Sequence, residues 1–242
     1  MTQEHMIKSI DEEYRHLNDL ISRMGELVES QIGDAIVSVT ERNSVLATEV
    51  IANDIEVDKL EQTIEDLTLK MMALRQPVAV DLREVLSALR ISGDLERIGD
   101  YAVNVAKRAI ALNQMTRIRP ANAMPRMGQI AKQMIRDVLD AYVRRDVDKA
   151  IAVWNCDEEL DEMYSSLFRV LLTHMMEDAR NITPSTHLLF IAKNIERVGD
   201  HTTNIAETIY FLVTGTQLRA ARPKRDETAF VAEPTGEKRP RA

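Results

Sequence analysis

DLERIGDYAVNVA at residues 94–106 and NIERVGDHTTNIA at residues 194–206 are one segment written twice. Six of the thirteen positions are identical (Glu, Arg, Gly, Asp, Asn, Ala), four more are conservative, and the offset is 100 residues. Upstream, Asp54-x-x-x-Asp58 matches Asp157-x-x-x-Asp161 at an offset of 103, which also aligns Asn43 with Asp146. Self-similarity on this scale marks the duplication of one supersecondary unit.

The segments around the repeat read as helix. Leu95, Ile98, Ala102, Val105, Ala109 and Leu112 step by three and four, and Ile195, Val198, Thr202, Ile205, Ile209 and Leu212 follow the same series. Leu60, Ile64, Leu67, Met71 and Leu74 trace a further stripe. Such spacing puts apolar side chains on one face of a helix, and no segment alternates with the period of a strand. Breaks fall at Asn43-Ser44, at Gln76-Pro77, across 113–125 with its two prolines, at Arg145-Asp146, at Asn181–Pro184 and at Gly215. Asn43, Asp146 and Thr183 are the predicted N-caps, and Gly215 the predicted stop.

The predicted fold is therefore all-α, with two tandem pseudo-symmetric three-helix bundles. The first spans 5–112 and the second 126–215, joined by a linker at 113–125 and followed by a disordered tail at 216–242. With 45% hydrophobic residues a core is within reach, yet only 4% are aromatic, so Leu, Ile, Val, Ala and the 12 Met must fill it. Cys156 and the Met residues at 71, 72, 163, 175 and 176 read as core filling.

The net charge is -8, and residues 217–242 carry seven Lys/Arg against four Asp/Glu, which leaves -11 on the body. An acidic body argues against nucleic acid, whose binders need a basic stripe. One cysteine allows no disulfide framework. No stretch approaches the ~18 apolar residues of a membrane span, so the chain reads as cytoplasmic without direct membrane insertion.

Residues four apart share a helix face. Glu96, Asp100 and Asn104 form one polar stripe; Glu196, Asp200 and Asn204 form its twin, extended by Glu207. Like charges at this spacing repel by a few tenths of a kcal/mol, and the pattern is kept twice. Asp54 and Asp58, and likewise Asp157 and Asp161, line one face of the preceding helix and could meet those stripes in a three-helix bundle. Oxygen-only donors of this kind suit Mg, Mn, Fe or Ca rather than zinc. The alternatives are a solvated acidic face and ion pairs to Arg97 and Arg197. Gly99 and Gly199, inside helices at a cost of roughly 1 kcal/mol each relative to Ala, imply close approach by another helix or by cations. His174 and His187 lack ligand spacing, His201 follows Asp200 but has Tyr101 as its repeat partner and so falls outside a shared site, and no nucleophilic or phosphate-loop motif is present.

LERIGDYAVNVA, IERVGDHTTNIA and QPVAVDLREVLSALRISGDLERIGD (76–100) resemble the paired signature of the PhoU family of phosphate-uptake regulators, and the resemblance covers about residues 5–214. It implies two pseudo-symmetric three-helix bundles, metal at Glu96-x-x-x-Asp100 and Glu196-x-x-x-Asp200, and a regulator rather than an enzyme. The implied partners are the ATPase subunit of a phosphate ABC transporter and a phosphate-sensing histidine kinase, with the starvation response held off when phosphate is plentiful. A homodimer follows from the family and from long exposed helix faces. The competing readings are a metal-free helical adaptor and a carboxylate-bridged di-metal enzyme. The latter normally carries Glu-x-x-His, where this chain has Gly99 and Gly199.

Overall fold

The computed structural model describes residues 3–218, with side chains from residue 11. The predicted tail beyond Leu218 lies outside the described residues. Among the described residues six long helices follow one another: α1 (Gln3–Thr40), α2 (Ser44–Arg75), α3 (Val80–Asn113), α4 (Met124–Arg144), α5 (Val147–Glu177) and α6 (Ile182–Thr214). Short 3-10 turns at Arg119–Ala123 and Ala179–Asn181 precede α4 and α6, and no strand occurs among the described residues.

The helix boundaries follow from local chemistry. Asn43 Oδ1 accepts the Leu46 N–H (3.0 Å) and Asp146 Oδ1 accepts the Lys149 N–H (2.9 Å), so each satisfies an orphan donor at the start of its helix. The residue before each cap is an arginine in the left-handed region, Arg42 at φ 57° and Arg145 at φ 54°. That conformation costs a non-glycine residue about 1–2 kcal/mol, and each arginine makes compensating bonds. Arg42 donates to the carbonyls of Asn113 and Met115, whereas Arg145 pairs with Glu84 of α3 and reaches Asn18 of α1. Gly215, at φ 74°, closes α6 by donating to the Phe211 carbonyl (2.8 Å). One predicted cap is corrected. Thr183 lies inside α6, because Asp178 accepts the Arg180 N–H (2.9 Å) and starts the short 3-10 turn that leads into the helix.

The two triplets are α1–α2–α3 and α4–α5–α6. Within each, the outer helix (α2 or α5) packs on the other two, while α1 meets α4 and α3 meets α6. Both cross-contacts are antiparallel and obey the repeat. Gly25 of α1 faces Leu139 of α4, and Gly128 of α4 faces Ile36 of α1. Gly25 and Gly128 are 103 apart in sequence, as are Ile36 and Leu139. Each glycine receives the side chain that its counterpart's helix supplies, the outcome of a pseudo-twofold axis between the halves.

The apolar stripes of α3 and α6 lie wholly inside, from Leu95 to Leu112 and from Ile195 to Leu212. The α2 stripe is buried at Leu60, Ile64 and Met71 but surfaces at Leu74, near the tip of the bundle. One continuous core runs through both triplets. Truncating a fully enclosed member such as Ile98 or Ile195 would cost about 2–5 kcal/mol. Three assignments to the core are corrected. Cys156 is exposed because it lies on the outer face of α5, Met72 because it faces away from the core beside buried Met71, and Met176 because it lies in the last turn of α5.

Candidate functional site

The duplicated acids assemble where each outer helix crosses its signature helix. In the first half, Asp54, Asp58 and Glu61 of α2 face Glu96 and Asp100 of α3. Asp54 feels Asp58 and Asp100, and Glu96 feels Asp100, Glu61 and Asp58. Partial burial, followed by these like charges, raises the Asp54 carboxyl to about 6 and the Glu96 carboxyl to about 7. Lys107 and Arg97 oppose the shifts. In the second half, Asp157 and Asp161 of α5 and Glu196 of α6 are all buried, with Asp200 at the edge. Burial lifts Glu196 to about 7 against the pull of Lys193, with Asp200 and Asp161 adding to the rise.

The signature glycines make room for the opposing acids. A methyl placed on Gly99 would lie 3.3 Å from Asp54 Oδ1 and 3.4 Å from Val57 Cγ1. On Gly199 it would lie 2.7 Å from Asp157 Oδ1 and 2.8 Å from Leu160 Cδ2. Val57 and Leu160 are themselves 103 apart, so the two niches share one plan. Both glycines serve close packing with the preceding helix, and what they admit is a carboxylate.

All eight sequence-nominated acids thus fall into two facing rows, one per half. Among the described residues, however, no three His, Cys, Asp or Glu side chains close on a single point at metal-ligand distance. Part of the charge is met by the protein itself. Arg97 lies 3.4 Å from Glu96 and 3.1 Å from Asp100, and Lys193 lies 2.9 Å from Glu196. The donor set still fits a hard cation: it is all oxygen, its members repel one another, and the first niche contains an orphaned amide. Gln31 of α1 is 3% exposed, and neither of its side-chain polar atoms has a partner among the described residues. Its Oε1 lies 3.5 Å from the point where a Gly99 methyl would sit.

Sequence reasoning missed Gln31, which stands outside both repeated motifs. It also passed over His201. That imidazole bridges the halves, with Nδ1 2.8 Å from Asp94 Oδ1 and Nε2 3.2 Å from Tyr101 Oη. The only available signal was the exchange of Tyr for His between copies. Glu207 was placed on the polar stripe; it accepts the indole N–H of Trp154 (3.0 Å). Arg197 stands over the Tyr101 ring, 5.9 Å from its centre.

The PhoU domain family model matches this chain twice, over residues 21–109 and 124–209. The chain belongs to the PhoU family. Among PhoU relatives, the phosphate-specific transport system accessory protein PhoU homologue of Caulobacter vibrioides is 48% identical over 224 residues, 92% of this chain and 97% of that protein. The homologue of the same name in Rhizobium meliloti is 45% identical over 236 residues, 97% of this chain and 100% of that protein. The crystal structure of PhoU from Pseudomonas aeruginosa superposes with a TM-score of 0.83 at 36% identity, covering 85% of this chain and 99% of that one. The phosphate transport system regulatory protein PhoU from Streptococcus pneumoniae gives 0.80 at 28% identity, covering 87% of this chain and 100% of that one. The two PhoU matches hold the two acidic rows, one row in each.

Proposed function

We propose that this chain regulates phosphate uptake and phosphate-starvation signalling as an adaptor in the cytoplasm. It would contact the ATPase subunit of a phosphate ABC transporter and the phosphate-sensing histidine kinase, and hold the response off when phosphate is plentiful. The observation that carries this reading is family membership over both halves, with relatives named as accessory proteins of phosphate-specific transport. No described helix is long and apolar enough to cross a membrane, so attachment to a transporter would run through protein contacts. The reading is of a scaffold and not a catalyst, with partners exchanged between states through differential contacts.

In this reading Asp54, Asp58, Glu96 and Asp100 would hold cations in one half, and Asp157, Asp161, Glu196 and Asp200 in the other. A hard cation there supplies neutralisation of facing carboxylates and a cross-link between outer and signature helices. The residues' own part is to present oxygens from two helices at once and, through Gly99 and Gly199, to let those helices approach. A metal-free adaptor is the second reading, favoured by the absence of three converging ligands among the described residues. A homodimer, built on the long exposed helix faces, belongs to the same proposal.

The test of the function is capture with the tagged full chain from phosphate-replete and phosphate-starved cells. Recovery of the transporter ATPase and the sensor kinase from replete cells supports the reading. Recovery of neither, with the bait folded and abundant, contradicts it.

A further inference from the structure

The two acidic rows share one plan but not one chemistry. Several positions differ between the halves, and three of them favour an ion in the first row. Gln31 of α1 corresponds to Met134 of α4, at the offset of 103 that pairs Gly25 with Gly128. Met134 Cε lies 3.8 Å from the point where a Gly199 methyl would sit, so it occupies the same place in its niche as Gln31 does beside Gly99. Glu61 corresponds to Tyr164, and Gly93 corresponds to Lys193. Lys193 bonds Glu196 at 2.9 Å and stands over the Tyr164 ring, 4.8 Å from its centre.

The second half therefore carries its own ammonium against its buried glutamate. The first half has no side chain at that place, since it holds Gly93, and its acids are half-buried or exposed and open to an ion from solvent. The cations beside its acids, Arg97 and Lys107, are both exposed. Of the two niches, only the first presents a buried carboxamide without a partner among the described residues. Leaving such a group unbonded in a core is destabilising, whereas Met134 in the second niche has no such requirement. The Gln31 oxygen and Asp54 Oδ1 both approach the Gly99 niche, from α1 and α2 respectively.

We propose that Gln31 supplies a neutral carbonyl oxygen from α1 to a hard divalent cation in the first acidic row, making that row the tighter of two unequal cation sites. This rests on the cation-binding reading above. Asp54 and Asp58 would come from α2, Glu96 and Asp100 from α3, and Gln31 from α1, so an ion there ties all three helices of the first bundle. The second row, closed by Lys193 and Met134, ties two helices and loads more weakly. Oxygen donors with one neutral amide match Mg²⁺, Mn²⁺ or Ca²⁺.

The experiment is Mn²⁺ titration of the chelator-stripped full chain, read by the loss of free-ion electron paramagnetic resonance signal, together with melting in chelator and in Mn²⁺. Gln31→Met gives the first half the second half's residue. It should weaken the tight phase by about tenfold or more, the scale on which lost supporting groups act at metal sites, and remove most of the Mn²⁺-induced rise in melting temperature. In chelator the same variant should melt no lower than the parent chain, since an unbonded amide has been replaced by an apolar group. Gln31→Glu, which keeps an oxygen at that point, should bind at least as tightly as the parent. If Gln31→Met binds Mn²⁺ like the parent while E96Q/D100N loses the tight phase, the cation reading survives and the role of Gln31 does not. Loss of the tight phase in E196Q/D200N, with E96Q/D100N unaffected, overturns the order of the sites. A parent chain that takes up no Mn²⁺ overturns both readings.

Discussion

Tyr101 and His201, one hundred residues apart in sequence, touch across the α3–α6 interface, with Oη 3.2 Å from Nε2 and ring centres 5.5 Å apart. Equivalent positions meet only on the axis that relates the two halves, so that axis passes between these rings. The copies have diverged there in a complementary way. Asp94, whose counterpart is Asn194, accepts from His201 Nδ1 (2.8 Å) and from Asn204 (3.3 Å). His201 therefore makes two cross-interface bonds from one ring. Replacing it with Phe should destabilise the chain by about 1–3 kcal/mol, because a partly buried Asp94 loses a partner, whereas Tyr101→Phe should cost about 1 kcal/mol. Urea unfolding with a double-mutant cycle checks both values. A coupling energy near zero would mean that the bonds do not hold the halves together.

Three glycines inside helices give a graded test of the packing. A methyl placed on Gly93 would meet nothing within 4 Å, one on Gly99 would have contacts at 3.3–3.5 Å, and one on Gly199 would lie 2.7 Å from Asp157 Oδ1. Helix propensity alone favours Ala at each by about 1 kcal/mol. Gly93→Ala should therefore stabilise the chain by about that amount. Gly99→Ala should fall within about 1 kcal/mol of neutral as the two effects offset, and Gly199→Ala should destabilise by about 1–3 kcal/mol. Thermal unfolding of the three variants reads the order directly.

The raised carboxyls set a pH dependence. Asp54 is held near 6 by burial and by Asp58 and Asp100, while Glu96 and Glu196 are held near 7. Their folded-state values exceed the ordinary carboxylate range, so the folded form holds these protons more tightly than the unfolded chain. The stability they confer is complete below about pH 4 and is lost as pH rises through about 6–7. In chelator these groups should make the chain more stable at about pH 5.5 than at about pH 8. With saturating Mn²⁺ the trend should reverse, because protons compete with the cation for the same oxygens. Denaturant titrations at the two pH values, with and without the ion, check it. The same slope in both conditions would separate these acids from cation binding.

The architecture was legible because it is written twice. The apolar stripes of α3 and α6 occupy the core as their spacing requires, and the Asn43 and Asp146 caps bond as their positions require. Facing of the acids was also legible, since a period of four fixes the row on each helix. What the sequence could not supply was the third helix. Gln31 is one polar residue in a long amphipathic α1, and only the crossing of α1 with α3 sets it beside Gly99. Thr183 misled because Asp178, upstream, starts the entry into α6 first. Cys156 and Met176 misled because residue type predicts burial only on average; the first lies on the outer face of α5 and the second in its last turn. His201 was undervalued because its bonds run between the halves, whereas the repeat exposes only what lies within each.

Whether the acidic rows hold cations is decided by the metal content of the full chain, purified without chelator and counted per polypeptide. The parent should carry bound hard cations, E96Q/D100N should lose the larger share, and adding E196Q/D200N should remove the remainder, with helical content unchanged throughout. Metal content unaffected by all four substitutions, or a parent that carries none and takes up none on dialysis against Mn²⁺, would contradict cation binding by these rows.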